Sequence, residues 1–232
     1  MNHEMDGGFS RKEAVEYRNM ENSYYSFDKN NFHFIVLDGN NPLDENSKGY
    51  KQYIGEEQIF WLKEDLTSSK YPVVIFSHQG LTTYPGGDGE DYGVENNDEI
   101  RKVLESHNTQ FPEKKVIACF NGHSHNDYAE QRNDIWYITI NSMSYKWMGE
   151  EFEHIRYSEE VDKNFKWIKY TAPYEEPLFA IVEISSEGYI KIEGKKTEWA
   201  GSSPWELDYP NITKKYVRPE ISDRLLKFKL EE

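Results

Sequence analysis

The stretch KVIACFNGHSH, residues 115–125, decides the fold prediction because a run of apolar residues leads directly into a polar turn. A short apolar run of this kind is typical of a strand covered on both faces in an α/β protein. Ligands bind beyond the carboxyl ends of such strands, so His123 and His125 stand where a functional site is expected. Gly122 is expected to let the backbone turn closely there. Cys119, the only cysteine, is expected to be a buried thiol.

The preceding residues alternate between strand and helix signals. Residues 72–77 predict a buried strand, and His78 follows its end directly. Helical spacing predicts helices from Glu56 to Leu66 and from about Asp98 to His107, separated in part by a polar loop at 82–98. The apolar residues assigned to the first helix are Ile59, Phe60, Leu62 and Leu66. This alternation predicts an α/β layered core up to about residue 120.

Strand signals dominate elsewhere in the chain. Residues 24–38 and 178–193 predict hairpins, and 135–140 predicts a single strand. Residues 142–177 are rich in Tyr, Trp and Glu and predict a long insertion or lid. The expected division is one domain and a less regular carboxy-terminal tail, residues 1–200 and 201–232.

Length and charge limit the classes of function. A chain of 232 residues suits one domain with a sizeable core. Its formal charge of −15 disfavours nucleic acid and anionic lipid as partners, and a phosphate substrate would require a cation at the site. No apolar run reaches the length of a membrane span, and no signal-peptide pattern follows Met1, so localisation is left open.

Three histidines follow predicted strands, namely His78, His123 and His125. Imidazole is the commonest metal-ligating side chain, and a His-x-His pair in a tight turn can direct both rings to one small volume. Solvated loop histidines are the alternative for the pair alone. The third strand-end histidine favours a metal site.

These motifs stand in a recognisable order. Asn2-His3-Glu4 comes first, and the following segments are YYSFD (24–28), HFIVLD (33–38), FSH (76–78) and GHSH (122–125). As an ordered set they resemble the later motifs of the calcineurin-like metallophosphoesterases over roughly residues 2 to 200. The resemblance implies an α/β fold, a two-layer αββα sandwich that lacks its first strands.

The resemblance also implies a reaction and a site. The expected activity is hydrolysis of phosphate mono- or diesters by a metal-bound water, with two ions such as Fe, Zn or Mn, or with one ion or none in this chain. The second ion would have as ligands Asn2, His78 and His123. His125 would bind the first ion. His3 would contact the phosphate or protonate the leaving oxygen, and Glu4 would orient it.

In the family, an Asp-x-His motif and a Gly-Asp-x-x-Asp motif come before Asn-His-Glu, and neither occurs before Asn2 in the sequence given. We therefore expect either a fragment of a longer enzyme or a shortened, metal-poor interaction module that keeps the scaffold. An exposed sheet edge prone to pairing, and hence a homo-oligomer, is also expected. A zinc protein of unrelated chemistry, such as an amidohydrolase-like enzyme, is a further alternative.

Several other residues have two possible interpretations, and three further histidines have one each. A substrate-mouth role or a mobile polar loop would explain Tyr84, Asp88, Asp91 and Tyr92. Stacking on a nucleoside or sugar, or core packing, would explain Tyr145, Trp147 and Trp205. His33 is expected on a strand face, His107 as a cation closing a helix, and His154 within a solvated charge cluster.

Overall fold

The computed structural model describes residues 10–40, 52–82, 93–210 and 214–230. Within these ranges a six-stranded mixed sheet has the order β1-β2-β3-β4-β6-β5. Its strands are β1 (Tyr25–Lys29), β2 (Phe32–Leu37), β3 (Val73–Ser77), β4 (Val116–Asn121), β5 (Tyr128–Arg132) and β6 (Ile135–Thr139). β2, β3, β4 and β6 are parallel, while β1 and β5 pair antiparallel at the two edges. The predicted α/β class is confirmed.

Helices cover one face of this sheet. The helices preceding β4 are α1 (Arg11–Tyr17), α2 (Glu56–Ser68) and α3 (Asn97–Gln110). α2 and α3 bury apolar residues against Ile35 and Ile75 of the sheet. Phe60 was predicted in the apolar stripe of α2, but its side chain is 67% exposed. At about 100° per residue, Phe60 is one residue around the helix from the buried Ile59 and two from the buried Leu62, which turns its side chain away from the core.

A second, antiparallel sheet packs on the opposite face. It has the order β11-β10-β9, with β9 (Ala180–Ser185), β10 (Tyr189–Gly194) and β11 (Arg224–Lys227). Its inward residues, including Ile190 and Leu226, pack with Val74 and Ile117 of the first sheet. The layered sandwich is therefore confirmed. β11 comes from the predicted tail, and the proposed boundary at residue 200 stays a prediction.

The predicted insertion, residues 142–177, contains short elements. β7 (Tyr145–Trp147) pairs with β8 (Thr171–Pro173), and α4 (Glu159–Asn164) is capped by Ser158. Short 3-10 helices occupy Pro112–Lys114, Glu150–Phe152, Ile168–Tyr170 and Pro204–Leu207. In the described ranges, none of the helices has both the length and the apolar character needed to cross a lipid bilayer.

Three side chains singled out in the sequence are buried in the fold, namely His33, His107 and Cys119. His33 lies on a strand, as predicted, and it is buried there, with its ring nitrogens 2.6 Å from Asp28 Oδ1 and 2.8 Å from Asp65 Oδ2. His107 was predicted to be a helix-closing cation, but it is buried, and burial lowers its pKa, which favours the neutral ring. Cys119 is buried as predicted, and burial raises the pKa of its thiol.

Candidate metal centre

His78 and His123 meet at the carboxyl ends of two neighbouring parallel strands. His78 directly follows β3, and His123 lies two residues beyond β4. Nδ1 of His123 is 3.3 Å from Nε2 of His78, and the two rings are nearly perpendicular at 74°. The backbone N–H of Gly122 also donates to the carbonyl of His78 at 3.1 Å, which ties the two strand ends together. The parallel sheet thus produces the predicted proximity of these two histidines.

The turn that carries the histidine pair of residues 123 and 125 has unusual backbone geometry. The N–H of Ser124 donates to the carbonyl of Gly122 at 2.7 Å, so a γ-turn is centred on His123, whose φ is 62°. His125 also has a positive φ, 51°. Gly122 was expected to provide the backbone freedom, but a Cβ placed there would make only ordinary contacts, the nearest at 3.9 Å. The strained residues are the histidines themselves, and strain of this kind concentrates at functional sites.

His125 makes different contacts from the first two histidines. Its ring packs edge-on against Tyr145, with the ring centroids 5.1 Å apart, and its Nδ1 accepts from the backbone N–H of Trp147 at 3.3 Å. Burial raises the pKa of the Tyr145 phenol, which therefore stays neutral. Because Nδ1 is an acceptor, the neutral ring carries its proton on Nε2. A metal-binding histidine usually donates its other N–H, so this arrangement suits a hydrogen-bond donor better than a metal ligand.

Lys146 supports the same turn from the predicted insertion. Its side chain is buried, and its Nζ donates to the carbonyl of Ser124 at 2.8 Å and reaches Asn126 Oδ1 at 3.4 Å. A buried ammonium requires such acceptors, since an uncompensated charge would be costly. The insertion therefore contributes to the site rather than only covering it.

Asp127 anchors the other end of the turn. Its carboxylate accepts from Arg224 at 2.7 Å, from Arg218 at 2.9 Å and from the Ser222 hydroxyl at 2.5 Å. Burial alone would raise the pKa of Asp127, but the hydrogen bonds from Arg224 and Ser222 outweigh it and lower the pKa below its ordinary value. Asp127 is thus a buried anion that joins the histidine turn to the segment around β11.

Polar side chains also gather at the end of β2. Asp38 Oδ1 accepts from the backbone N–H and the amide of Asn40, at 3.1 and 2.7 Å, and Gln79 donates to Asn40 Oδ1 at 2.7 Å. Gln58 of α2 hydrogen-bonds both backbone groups of Asp38 at 2.8 Å. Gly39 is closely surrounded, because a Cβ there would lie 2.5 Å from Gln79 Oε1 and 2.9 Å from Val94 Cγ1, so a larger residue would displace these side chains. The network fixes a carboxylate and an amide beside the histidine strands.

A cavity of about 810 Å³ joins this polar end to an apolar wall. The polar lining residues include Asp38, Asn40, His78 and Asn121, and the apolar ones include Phe34, Phe76, Phe120 and Val182. A mainly apolar pocket with a few convergent polar groups is the usual form of a small-molecule site.

The spacing of the first histidine pair fits a metal ion. Two nitrogens bound to one tetrahedral ion at 2.0–2.1 Å would be about 3.3–3.4 Å apart, which matches the observed 3.3 Å between His78 and His123. Within the described part of the chain, no group of three His, Cys, Asp or Glu side chains is placed to hold an ion. The other predicted site residues lie outside the described residues: Asn2, His3 and Glu4. So do Tyr84, Asp88, Asp91 and Tyr92.

Sequence reasoning missed several residues that shape the site. It did not identify Lys146, Asp127 or the Asp38 network as parts of it. Lys146 offers no local signal, because a lysine among aromatic residues is ordinarily a surface group. Asp127 could have been suspected from its position two residues after the histidine pair, but its arginine partners are more than 90 residues away in sequence.

Comparisons with known proteins add little. The sequence matches no protein-family model and no curated protein. Among solved structures, the chain is similar to GAP50, described as the anchor in the inner membrane complex of Plasmodium, with 18% identity and a TM-score of 0.47 over 92% of this chain and 57% of that one. A putative 5'-nucleotidase from Staphylococcus aureus, in complex with alpha-ketoglutarate, has 15% sequence identity and a TM-score of 0.33, over 53% of this chain and 24% of that one. A Vps29 single mutant from Entamoeba histolytica has 12% sequence identity and a TM-score of 0.22, over 84% of this chain and 99% of that one.

The chain therefore spans little more than half the length of the first of these structures and about a quarter of the second. All three TM-scores are below 0.5. The similarities carry no argument about activity, and the fold class rests on the sheet topology itself.

Proposed function

We propose that this chain is a metal-dependent hydrolase of phosphate mono- or diesters, with His78 and His123 as ligands of one divalent ion. The observation that supports it most strongly is the 3.3 Å separation of their ring nitrogens at the ends of adjacent parallel strands. The positive φ of His123 is a second support, because backbone strain persists where surrounding contacts hold it for function. Of the metals that the resemblance implies, Zn and Fe suit imidazole ligation, and Mn suits the amide oxygen of Asn2, the proposed third ligand.

The protein's own groups have defined roles in this proposal. When bound, the ion would neutralise the phosphate and acidify a water molecule. His125 is proposed as a donor to a phosphate oxygen through Nε2–H, instead of the metal ligand that the family resemblance implies. Lys146 and Asp127 hold the turn that carries it. The apolar wall of the cavity takes the organic group of the ester, and His3, oriented by Glu4, remains the proposed acid for the leaving oxygen.

A non-catalytic interaction module that retains the scaffold is the second candidate. One observation favours it: in the described residues only two of the proposed ligands converge, and no third His, Cys, Asp or Glu joins them. Such a protein would bind an ion weakly, or none, and would not turn over phosphate esters. Adding a chelator would then change neither the stability of the protein nor its binding to a partner.

Hydrolysis assays separate the two candidates. The metal-loaded protein should hydrolyse p-nitrophenyl phosphate or bis-p-nitrophenyl phosphate, and His123→Ala should lower kcat/KM by roughly 100-fold because ligation is lost. His154→Ala is the matched control, since His154 Nδ1 hydrogen-bonds the Phe152 carbonyl at 2.8 Å, in a segment that carries none of the proposed ligands. Absence of hydrolysis by the Zn- and Mn-loaded protein would refute catalysis by this chain.

A further inference from the structure

The two sheets of the sandwich cover each other only in part. On the second sheet, the inward residues Ile190 and Ile192 are fully buried, but Val182 on the neighbouring β9 is 39% exposed. On the first sheet, Phe120 is 5% exposed and Phe76 on the next strand is 38% exposed. Burial therefore decreases in the same direction on both sheets. Beyond β9, an apolar face of β1, β2 and β3 has no covering strand among the described residues.

A continuous row of aromatic rings runs from the covered part of the first sheet onto this uncovered face. Phe27, Phe34, Phe76 and Phe120 lie on four adjacent strands, with successive ring centroids 5.2, 6.3 and 5.4 Å apart and nearly parallel planes. Phe27 is 47% exposed. A contiguous exposed apolar patch of this kind marks an interaction surface.

β9 provides a backbone edge directly beside this row. In the described part of the chain it pairs with β10 on one side and with no strand on the other. Its register opposite Ile192 and Ile190 turns Val182 and Ile184 inward, and both line the cavity with the aromatic rings. β9 contains no proline and no inward charge, which are the usual protections of an edge strand. The edge is therefore open to pairing.

The space beside β9 fits a single extended strand. A strand added to β9 would lie about 4.8 Å farther along the second sheet, and its alternate side chains would rest on Phe34 and Phe76. A second copy pairing through β9 about a two-fold axis does not fit, because each first sheet extends beyond β9 and the two copies would occupy the same space. Lys29, at the end of β1, lines the cavity, so an acidic residue at that end complements its charge.

We infer that this face binds an extended segment of a partner polypeptide by strand addition to β9. The segment alternates apolar and polar residues and carries an acidic residue at the end near Lys29. Main-chain hydrogen bonds to β9 supply affinity, and the aromatic row selects the alternate apolar side chains. This site adjoins the proposed metal centre and shares Phe34, Phe76 and Val182 with the apolar wall of the same cavity, but its test does not depend on hydrolysis.

A displayed library of random peptides of about 12 residues, longer than a typical strand, is the probe. Enriched peptides should have apolar residues at every second position with an acid at one end, and they should slow amide exchange of residues 180–185. Val182→Lys should weaken their binding by at least about tenfold because its charge enters the apolar cavity. Ile181→Lys is the matched control: Ile181 is on the same strand, faces solvent and is 63% exposed.

Circular dichroism and melting curves of both variants establish that each is folded before binding is compared. The inference is overturned by failure to enrich any peptide, by enriched peptides without alternation, or by equal binding to the two folded variants. It is also overturned if sedimentation shows a dimer of the wild-type chain in which residues 180–185 are protected from exchange.

Discussion

Arg224 Nη1 donates to Asp127 Oδ1 at 2.7 Å and so links the histidine turn to a strand almost 100 residues later in the chain. The Asp127 side chain is fully buried and that of Arg224 is 15% exposed. The pair joins β11 and the second sheet to the loop that carries His123 and His125. This interaction therefore contributes both to fold stability and to the geometry of the candidate site.

Asp127→Asn should lower the free energy of unfolding by about 3 kcal/mol, because it leaves a largely buried guanidinium without its anion. Urea unfolding of the purified variant measures the change. Glu160→Gln, an exposed carboxylate of α4, is the control and should change stability by less than about 0.5 kcal/mol. Equal stability of the Asp127 variant and the wild type would show that the link is not structural.

His33 should make the stability pH-dependent. Burial alone would lower its pKa, but hydrogen bonds with Asp65 and Asp28 outweigh it and raise the pKa above its ordinary value. Stability from this group is therefore present below the unfolded-state pKa of about 6.5 and is lost as pH rises through the higher folded-state pKa. Denaturant unfolding from pH 6 to pH 9 should show this loss.

The control for that pH dependence is His33→Gln, which cannot carry the charge. At pH 6 it should be less stable than the wild type by roughly 2 kcal/mol, and the difference should shrink at pH 9. A difference that stays constant over this range would contradict the assigned contacts of His33 with Asp28 and Asp65.

Substitution by alanine should have a small effect on stability at one glycine and a large effect at another. Gly122→Ala should change the free energy of unfolding by less than about 0.5 kcal/mol, since the new Cβ meets nothing closer than 3.9 Å. In Gly194→Ala the Cβ would lie 1.8 Å from the Ile221 carbonyl oxygen, so β10 must shift. Thermal melting should show a large loss for the second variant only. A large loss for Gly122→Ala would mean that the turn does need a glycine.

Local sequence patterns were sufficient for much of the fold. The apolar runs before His78 and after Lys115 predicted β3 and β4 within a residue or so, because continuous apolar strands are typical of buried parallel sheets. β5 (Tyr128–Arg132) was missed because its polar residues carry no strand signal. β11 was missed because its place beside β10 depends on pairing with a strand about 30 residues earlier.

The candidate site could be predicted only where topology alone determines it. Ends of parallel strands lie at one edge of a sheet, and this brought His78 and His123 together as expected. The hydrogen-bonding state of His125 depends on the backbone N–H of Trp147, and the turn is supported by Lys146 and by Asp127 with its arginines. These contacts come from distant segments, so periodicity and spacing could not predict them.

The most direct test of the central claim is Co²⁺ binding followed by visible absorption, with total metal content measured in parallel. The account predicts about one ion per chain with the ligand-field bands of a tetrahedral site, and loss of at least about tenfold in affinity in both His78→Ala and His123→Ala. His154→Ala should bind like the wild type. Unchanged Co²⁺ spectra and affinity in both site variants would contradict a metal centre at this histidine pair.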